Sequence, residues 1–228
     1  MGPLSTAYLY QRITQWTKVS RDQDHIPIII NSNTIIPDRS AFLTGRGEDP
    51  YPYLLKSALF LQQANVDAII IGCNTAHYWV PFLRKQVQIP IISMIEAVVD
   101  LVKEDSKKRA DIAILGTAGL QSFPSYQASF QEAGIAAYTL NPEEQDRISS
   151  IIYDVKERGV HSKNLAAFNF LIKEMEEKGR HHFILGCTEL AYLSSFLSDK
   201  EKFINSIDVL AKCVIQYLGY PLRKEENQ

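Results

Sequence analysis

Short runs rich in isoleucine and valine alternate along the chain with longer stretches whose apolar residues recur at helical spacing. That alternation marks βαβ units and a mainly parallel sheet, so the sequence reads as an α/β fold. Strands are expected over Pro27–Ile30, Ala68–Ile71, Ile91–Ser93, Asp111–Leu115, Ile135–Thr139, His182–Leu185 and Phe203–Ile204, each bounded by Gly, Pro, Asn or charge. Helices are expected over Thr6–Val19, Pro50–Ala64, Tyr78–Gln86, Ile95–Glu104, Phe123–Ala133, Pro142–Lys156, Lys163–Lys178 and Ser206–Tyr217. In the last, Ile207, Leu210, Val214 and Tyr217 share one face, which is expected to be buried.

Two stretches resemble each other. DAIIIGCNTAH at 67–77 and HFILGCTEL at 182–190 both run from an apolar strand through Gly-Cys to small polar residues. Their cysteines, Cys73 and Cys187, stand half a chain length apart in 228 residues. An internal duplication follows as the expectation: two similar Rossmann-like α/β halves, each contributing one cysteine to a cleft between them. Residues 1–95 form the first half and 96–205 the second, with the helix in 206–228 returning to the first. The charged segment KEDSKKRAD at 103–111 is either the crossing between halves or a solvated helix end, and the polar tail RKEENQ is expected to fray.

Composition narrows the function classes. An apolar fraction of 46% supports a buried core. Twenty-four Lys and Arg against 26 Asp and Glu leave a net charge of −2, so no general attraction to nucleic acid or to an anionic membrane is expected. No apolar run approaches the roughly 20 residues of a membrane span, and the first residues do not read as a secretory signal. A cytoplasmic location is the default. Three scattered cysteines do not form a disulfide framework, and no CxxC or HxxxH pair offers zinc spacing, so neither a metal nor a disulfide is expected.

A Gly-Cys pair at the end of a parallel strand puts the thiol where open α/β sheets bind ligands, and at the start of the following helix. Backbone N–H groups and the helix dipole there favour thiolate over thiol, but two adjacent anions repel, so the pair is expected to share one proton. Asn74, Thr75 and Thr188 add polar donors at the same turns. Cys213, inside an amphipathic helix, reads as a core thiol.

Six ordered pieces carry a resemblance over nearly the whole chain: MGPLST at the start, NSNTIIPDRSAFL at 31–43, GCNTAH at 72–77, LGTAG at 115–119, YDVKERG at 153–159 and GCTEL at 186–190. The sequence resembles the cofactor-independent aspartate/glutamate racemase superfamily, and the GCTE form resembles its aspartate branch. The resemblance implies racemisation without cofactor or metal, with Cys73 and Cys187 as the two bases on opposite faces of the α-carbon. It also implies a homodimer and a small dicarboxylic amino acid as the binding partner. Arg39 and Lys156 then bind the acidic side chain, with Met1, Asn74, Thr75, Thr117, Thr188 and Glu189 bordering the substrate. Arg39 also reads as half of a surface pair with Asp38, Glu189 as a helix cap, and His77 as either a support behind the site or an ordinary helix residue. Two positions depart from the family. Leu120 stands where a second Thr is usual, and Met1 is already the Met of a GGMGP motif that normally follows an apolar strand, so the native chain is expected to start upstream.

Three other activities fit the same residues: a racemase accepting both aspartate and glutamate, a maleate-type cis/trans isomerase acting by cysteine addition, and a catalytically silent amino-acid-binding protein.

Overall fold

The computed structural model describes residues 1–105, 112–123, 125–197 and 199–224. Helix α1 (Pro3–Trp16) starts three residues before its expected Thr6, because Pro3 at the first helical position supplies a helical φ and leaves no N–H unpaired. Then come α2 (Arg39–Leu43), capped by Asp38, and α3 (Tyr51–Gln63). Strand β1 (Ile69–Ile70) leads through a 3₁₀ turn at Thr75–Trp79 into α4 (Val80–Leu83), β2 (Ile91–Ile92) and α5 (Met94–Glu104). The single helix expected over Tyr78–Gln86 is therefore divided. Pro81 lacks an N–H and its ring crowds the carbonyl one turn back, so a 3₁₀ turn gives way to a four-residue α-helix.

The rest of the chain runs β3 (Ile112–Leu115), α6 (Ala118–Gln121), α7 (Ser125–Glu132), β4 (Ala137–Tyr138), α8 (Pro142–Arg158) and α9 (Ser162–Glu177). It ends with β5 (His182–Leu185), α10 (Thr188–Ser194), β6 (Phe203–Asn205) and α11 (Ser206–Tyr217). Strands β1 and β2 form a two-stranded sheet, and the other four form a second sheet in the order β4-β3-β5-β6. Every ladder in both sheets is parallel.

The period of two along the central strands divides the second core between the two faces of its sheet. Ala113, Leu115, Phe183 and Leu185 meet α8, α9 and α10 on one side. Ile112, Ile114 and Ile184 meet α5 and α7 on the other. A third cluster joins α3, β1, α4 and β2, and a fourth packs Leu9 and Ile13 of α1 against Ile207, Leu210 and Val214 of α11. The C-terminal helix thus lies on the first helix, while β6 just before it belongs to the second sheet.

Pro27–Ile30 makes no ladder among the described residues. Pro27 has no N–H to give a neighbouring strand. Ile26 and Ile28 tuck against the α1–α11 cluster, while Ile29 and Ile30 are 48% and 46% exposed. The apolar run packs along the α1–α11 pair and is not a strand. Of the charged segment 103–111, positions 106–111 lie outside the described residues, as do 225–228 of the polar tail. No described helix is long and apolar enough to cross a membrane.

Candidate active site

Two strand ends build the site. After β1, Gly72 passes so close to α1 that a Cβ on it would meet Leu9 Cδ2 at 3.3 Å, and Cys73 follows. After β5, the Gly186 N–H donates to Leu115 O at 2.7 Å, and Cys187 becomes the N-cap residue of α10 in an extended conformation. Each thiol therefore stands at the carboxyl end of a parallel strand, where backbone direction reverses into a helix.

Both thiols border one cavity of about 50 Å³. Arg39, Asn74, Thr75, Thr117, Lys156, Thr188 and Glu189 border it with them. Met1 does not border it; the α-amino group of Met1 donates to Asn33 O at 2.6 Å, and Gly2 and Ser5 of the same turn line the cavity instead. A water position needs roughly 10–15 Å³ on this measure, so the space suits a ligand of a few polar groups.

Hydroxyls close the cavity across the lobes. Ser40 Oγ donates to Thr117 Oγ1 at 2.9 Å, Thr75 Oγ1 lies 3.1 Å from the same atom, and Ser5 Oγ bonds Thr188 Oγ1. Asn74 is a bracket. Its Nδ2 donates to Ser206 Oγ at 2.9 Å, its Oδ1 accepts from Tyr126 OH at 2.6 Å, and Ser206 Oγ donates in turn to Leu185 O at 2.7 Å. The turn after Cys73 is thereby tied to the strand end before Cys187.

Ser5, Asp38 and Ser40 are wall residues that sequence reasoning missed. In the sequence Asp38 reads only as the partner of Arg39 in a surface pair. Ser5 and Ser40 fall inside the stretches that carry the resemblance, MGPLST and NSNTIIPDRSAFL, but no spacing along one chain marks a hydroxyl whose partner is on the other lobe.

Electrostatics act strongly on the thiol of Cys187. Burial raises the Cys187 thiol well above its ordinary pKa, and the Glu189 carboxylate beside it adds to that, against a smaller opposite effect of Lys156. The expected preference for thiolate at this helix start is reversed, because desolvation and an acceptor carboxylate outweigh the dipole of a seven-residue helix. Cys187 Sγ donates to Glu189 Oε2 at 2.8 Å, and Thr188 Oγ1 donates to the same oxygen at 3.3 Å. Glu189 is therefore a partner of the thiol.

The cations are placed differently. Partial desolvation pulls the Lys156 pKa down, but the anionic forms of Cys187, Glu189, Asp38 and Cys73 more than offset it, so the ammonium is held above its ordinary range. Arg39 Nη1 donates to Ile36 O at 3.1 Å and Pro37 O at 2.7 Å, which fixes the guanidinium to its own turn. Its Nε is buried and has no hydrogen-bond partner among the described residues. A buried, unpaired N–H on a fixed cation at a cavity wall suits a ligand carboxylate.

His77 holds the backbone beneath Cys73. Its Nε2 accepts from Met94 N–H at 3.0 Å, so Nδ1 carries the proton that is donated to Cys73 O at 2.9 Å. Leu120, the departure from the family pattern, is 1% exposed, and a Cβ on Gly116 or Gly186 would lie 2.5 Å from its Cδ2. It packs the two strand ends together, and the hydroxyls on this side come from Thr117 and Ser40.

The architecture and the site define a class: a two-lobed parallel α/β protein in which each lobe brings one strand-end cysteine to a shared, cation-bordered cavity. The sequence model for Asp/Glu/Hydantoin racemase matches residues 1–214, and the chain belongs to that family. It is similar to a glutamate racemase of Hydrogenobaculum sp. (strain Y04AAS1), with 26% identity over 181 residues, 77% of this chain and 66% of that protein. It is also similar to the broad specificity amino-acid racemase RacX of Bacillus subtilis (strain 168), with 22% identity over 227 residues and 96% of each chain covered. The chain spans 59% to 66% of the length of the glutamate racemases it first matches. Among solved structures, the aspartate racemase of Picrophilus torridus superposes with a TM-score of 0.79 at 23% identity, covering 97% of this chain and 92% of that one. A putative Asp/Glu racemase from Yersinia pestis superposes at 0.75 with 21% identity and 94% of each chain. These likenesses establish the fold.

Proposed function

We propose that the protein interconverts L- and D-aspartate by a two-base mechanism at Cys73 and Cys187. The single observation that carries this reading is that both cysteines, one from each lobe, border one small cavity with Arg39 and Lys156. The lobes are taken as residues 1–95 with the C-terminal helix, and residues 96–205.

Inversion needs a proton acceptor on one face of Cα and a donor on the other. In one direction the Cys73 thiolate takes the Cα proton, the electron pair delocalises into the α-carboxylate, and the Cys187 thiol returns its proton to the opposite face. Cys73 is then the thiol and Cys187 the thiolate, and the enantiomer is processed in reverse. The burial of Cys187 and its bond to Glu189 support its role as the protonated partner at rest. Positioned proton transfer contributes about 10²- to 10⁴-fold. The remainder falls to orientation and to N–H groups and hydroxyls at Asn74, Thr75 and Thr188 that stabilise charge growing on the carboxylate. Lys156 and the free Nε of Arg39 supply the counter-charge for the substrate side chain.

Glutamate is the second reading, favoured by relatives that carry the name glutamate racemase. Chiral chromatography after incubation with each L-amino acid, without added cofactor, separates the two. D-aspartate formed with the higher kcat/KM supports the first reading, D-glutamate so formed the second, and neither product contradicts both.

A further inference from the structure

The position of the Arg39-bearing helix is set from the opposite lobe. A Cβ on Gly119 of α6 would stand 2.4 Å from Ser40 Cα, 2.6 Å from its Oγ and 2.7 Å from its Cβ. The nearest of these is backbone, so no side-chain rotation relieves the contact. Beside it, Ser40 Oγ donates to Thr117 Oγ1 at 2.9 Å. Asp38, Arg39 and Ser40 from one lobe and Thr117 from the other all border the cavity, so this contact lies at its wall.

Arg39 cannot adjust independently, because Nη1 is tied to Ile36 O and Pro37 O and the guanidinium moves with α2. The two sides of the contact differ in stiffness. Gly119 precedes Leu120, which is wedged against the strand ends at Gly116 and Gly186. Helix α2 has no fully buried residue; it rests on the exposed loop at Gly47, where a Cβ would meet Ala41 Cβ at 2.9 Å, and through the half-buried Phe42 on the Trp79 ring, 5.7 Å between ring centres. Because Leu120 beside Gly119 is fully buried and α2 holds no fully buried residue, added bulk at Gly119 should displace α2 rather than α6. Restoring ordinary contact at 3.4 Å moves Ser40 by about 1 Å, the order of one carbon–carbon bond at about 1.5 Å.

We infer that the Gly119–Ser40 contact is the specificity-determining element of the site, fixing the reach of Arg39 so that a four-carbon amino dicarboxylate is held and a five-carbon one is excluded. This rests on the reading of the ligand as an amino dicarboxylate. The residues act by positioning Arg39; neither Gly119 nor its contact with Ser40 is asked to take part in proton transfer.

The test is calorimetric binding of L-aspartate and L-glutamate to the wild type, Gly119→Ala and Ser40→Ala, alongside racemisation rates for both. One methylene in a fitted pocket is worth about 10- to 200-fold. The ratio of the glutamate to the aspartate dissociation constant should therefore fall about tenfold or more in Gly119→Ala. Ser40→Ala, which loses the Thr117 bond and one hydroxyl of the cavity wall, should move it the same way by less. A folded Gly119→Ala protein with an unchanged ratio overturns the inference. If that variant does not fold, an unchanged ratio in Ser40→Ala does so. A wild type that racemises neither amino acid refutes the proposed activity, while the binding ratios still decide this inference.

Discussion

Cys187 Sγ lies 2.8 Å from Glu189 Oε2, donating a hydrogen bond to a carboxylate two residues further along the same helix start. The bond exists only while the thiol is protonated, and burial and the carboxylate charge act together to keep it so. Glu189→Gln removes the charge and leaves the shape. The Cys187 pKa should fall toward the ordinary value of about 8.5, and alkylation of Cys187, followed by peptide mass analysis, should accelerate at mildly alkaline pH. Each unit of the fall gives about tenfold more thiolate. Equal rates in the two proteins would show that Glu189 does not hold the proton.

His77 makes stability depend on acid. Burial lowers its pKa to about 4, whereas the unfolded chain binds the proton near pH 6.5. The unfolded state thus holds more protons between those values, and stability present above about pH 6.5 is lost as pH falls toward 4. By pH 4.5 the loss from this group is about 2–3 kcal/mol. Urea unfolding at pH 7 and pH 4.5 should show His77→Gln to be less stable at pH 7 but to lose less on acidification by that amount. Parallel losses in both proteins would contradict the assignment.

Tyr126 is fully buried and donates to Asn74 Oδ1. Tyr126→Phe leaves that oxygen buried without its donor, at a cost of about 1–3 kcal/mol. Because Asn74 also reaches Ser206 and through it Leu185 O, kcat should fall more than KM rises as the two thiols lose their mutual placement. Chemical denaturation and steady-state kinetics check this, and a variant as stable and active as the wild type contradicts it.

The parallel α/β plan is legible in the sequence because strands covered on both faces leave short, uninterrupted apolar runs, as at Ile112–Leu115 and Phe183–Leu185. The bounds of helix α11 are legible to the residue, since Asn205 caps it through two N–H groups, but of its expected buried face Tyr217 is 56% exposed, because the last turn runs past the neighbouring helix. Helices α2 and α6, of five and four residues, are too short for any period to register. Pro27–Ile30 has strand composition but no ladder partner, and pairing is a tertiary event that an apolar run cannot report. The strand-end placement of both cysteines follows from local sequence. The protonation of Cys187 does not, because burial and the approach of Glu189 reverse the local effect of the helix start. Ser5 and Ser40 acquire meaning only when the other lobe brings Thr188 and Thr117 to them.

The central claim is that two thiols serve one α-carbon from two sides, and hydrogen exchange at that carbon tests it most directly. L- and D-aspartate are incubated in heavy water with the wild type, Cys73→Ala and Cys187→Ala, and deuterium at Cα and chirality are read together. Both single variants should lose inversion, and any exchange that survives should be confined to one enantiomer in Cys73→Ala and to the other in Cys187→Ala. Inversion at wild-type rate in either variant, or exchange of the same enantiomer in both, would contradict the account.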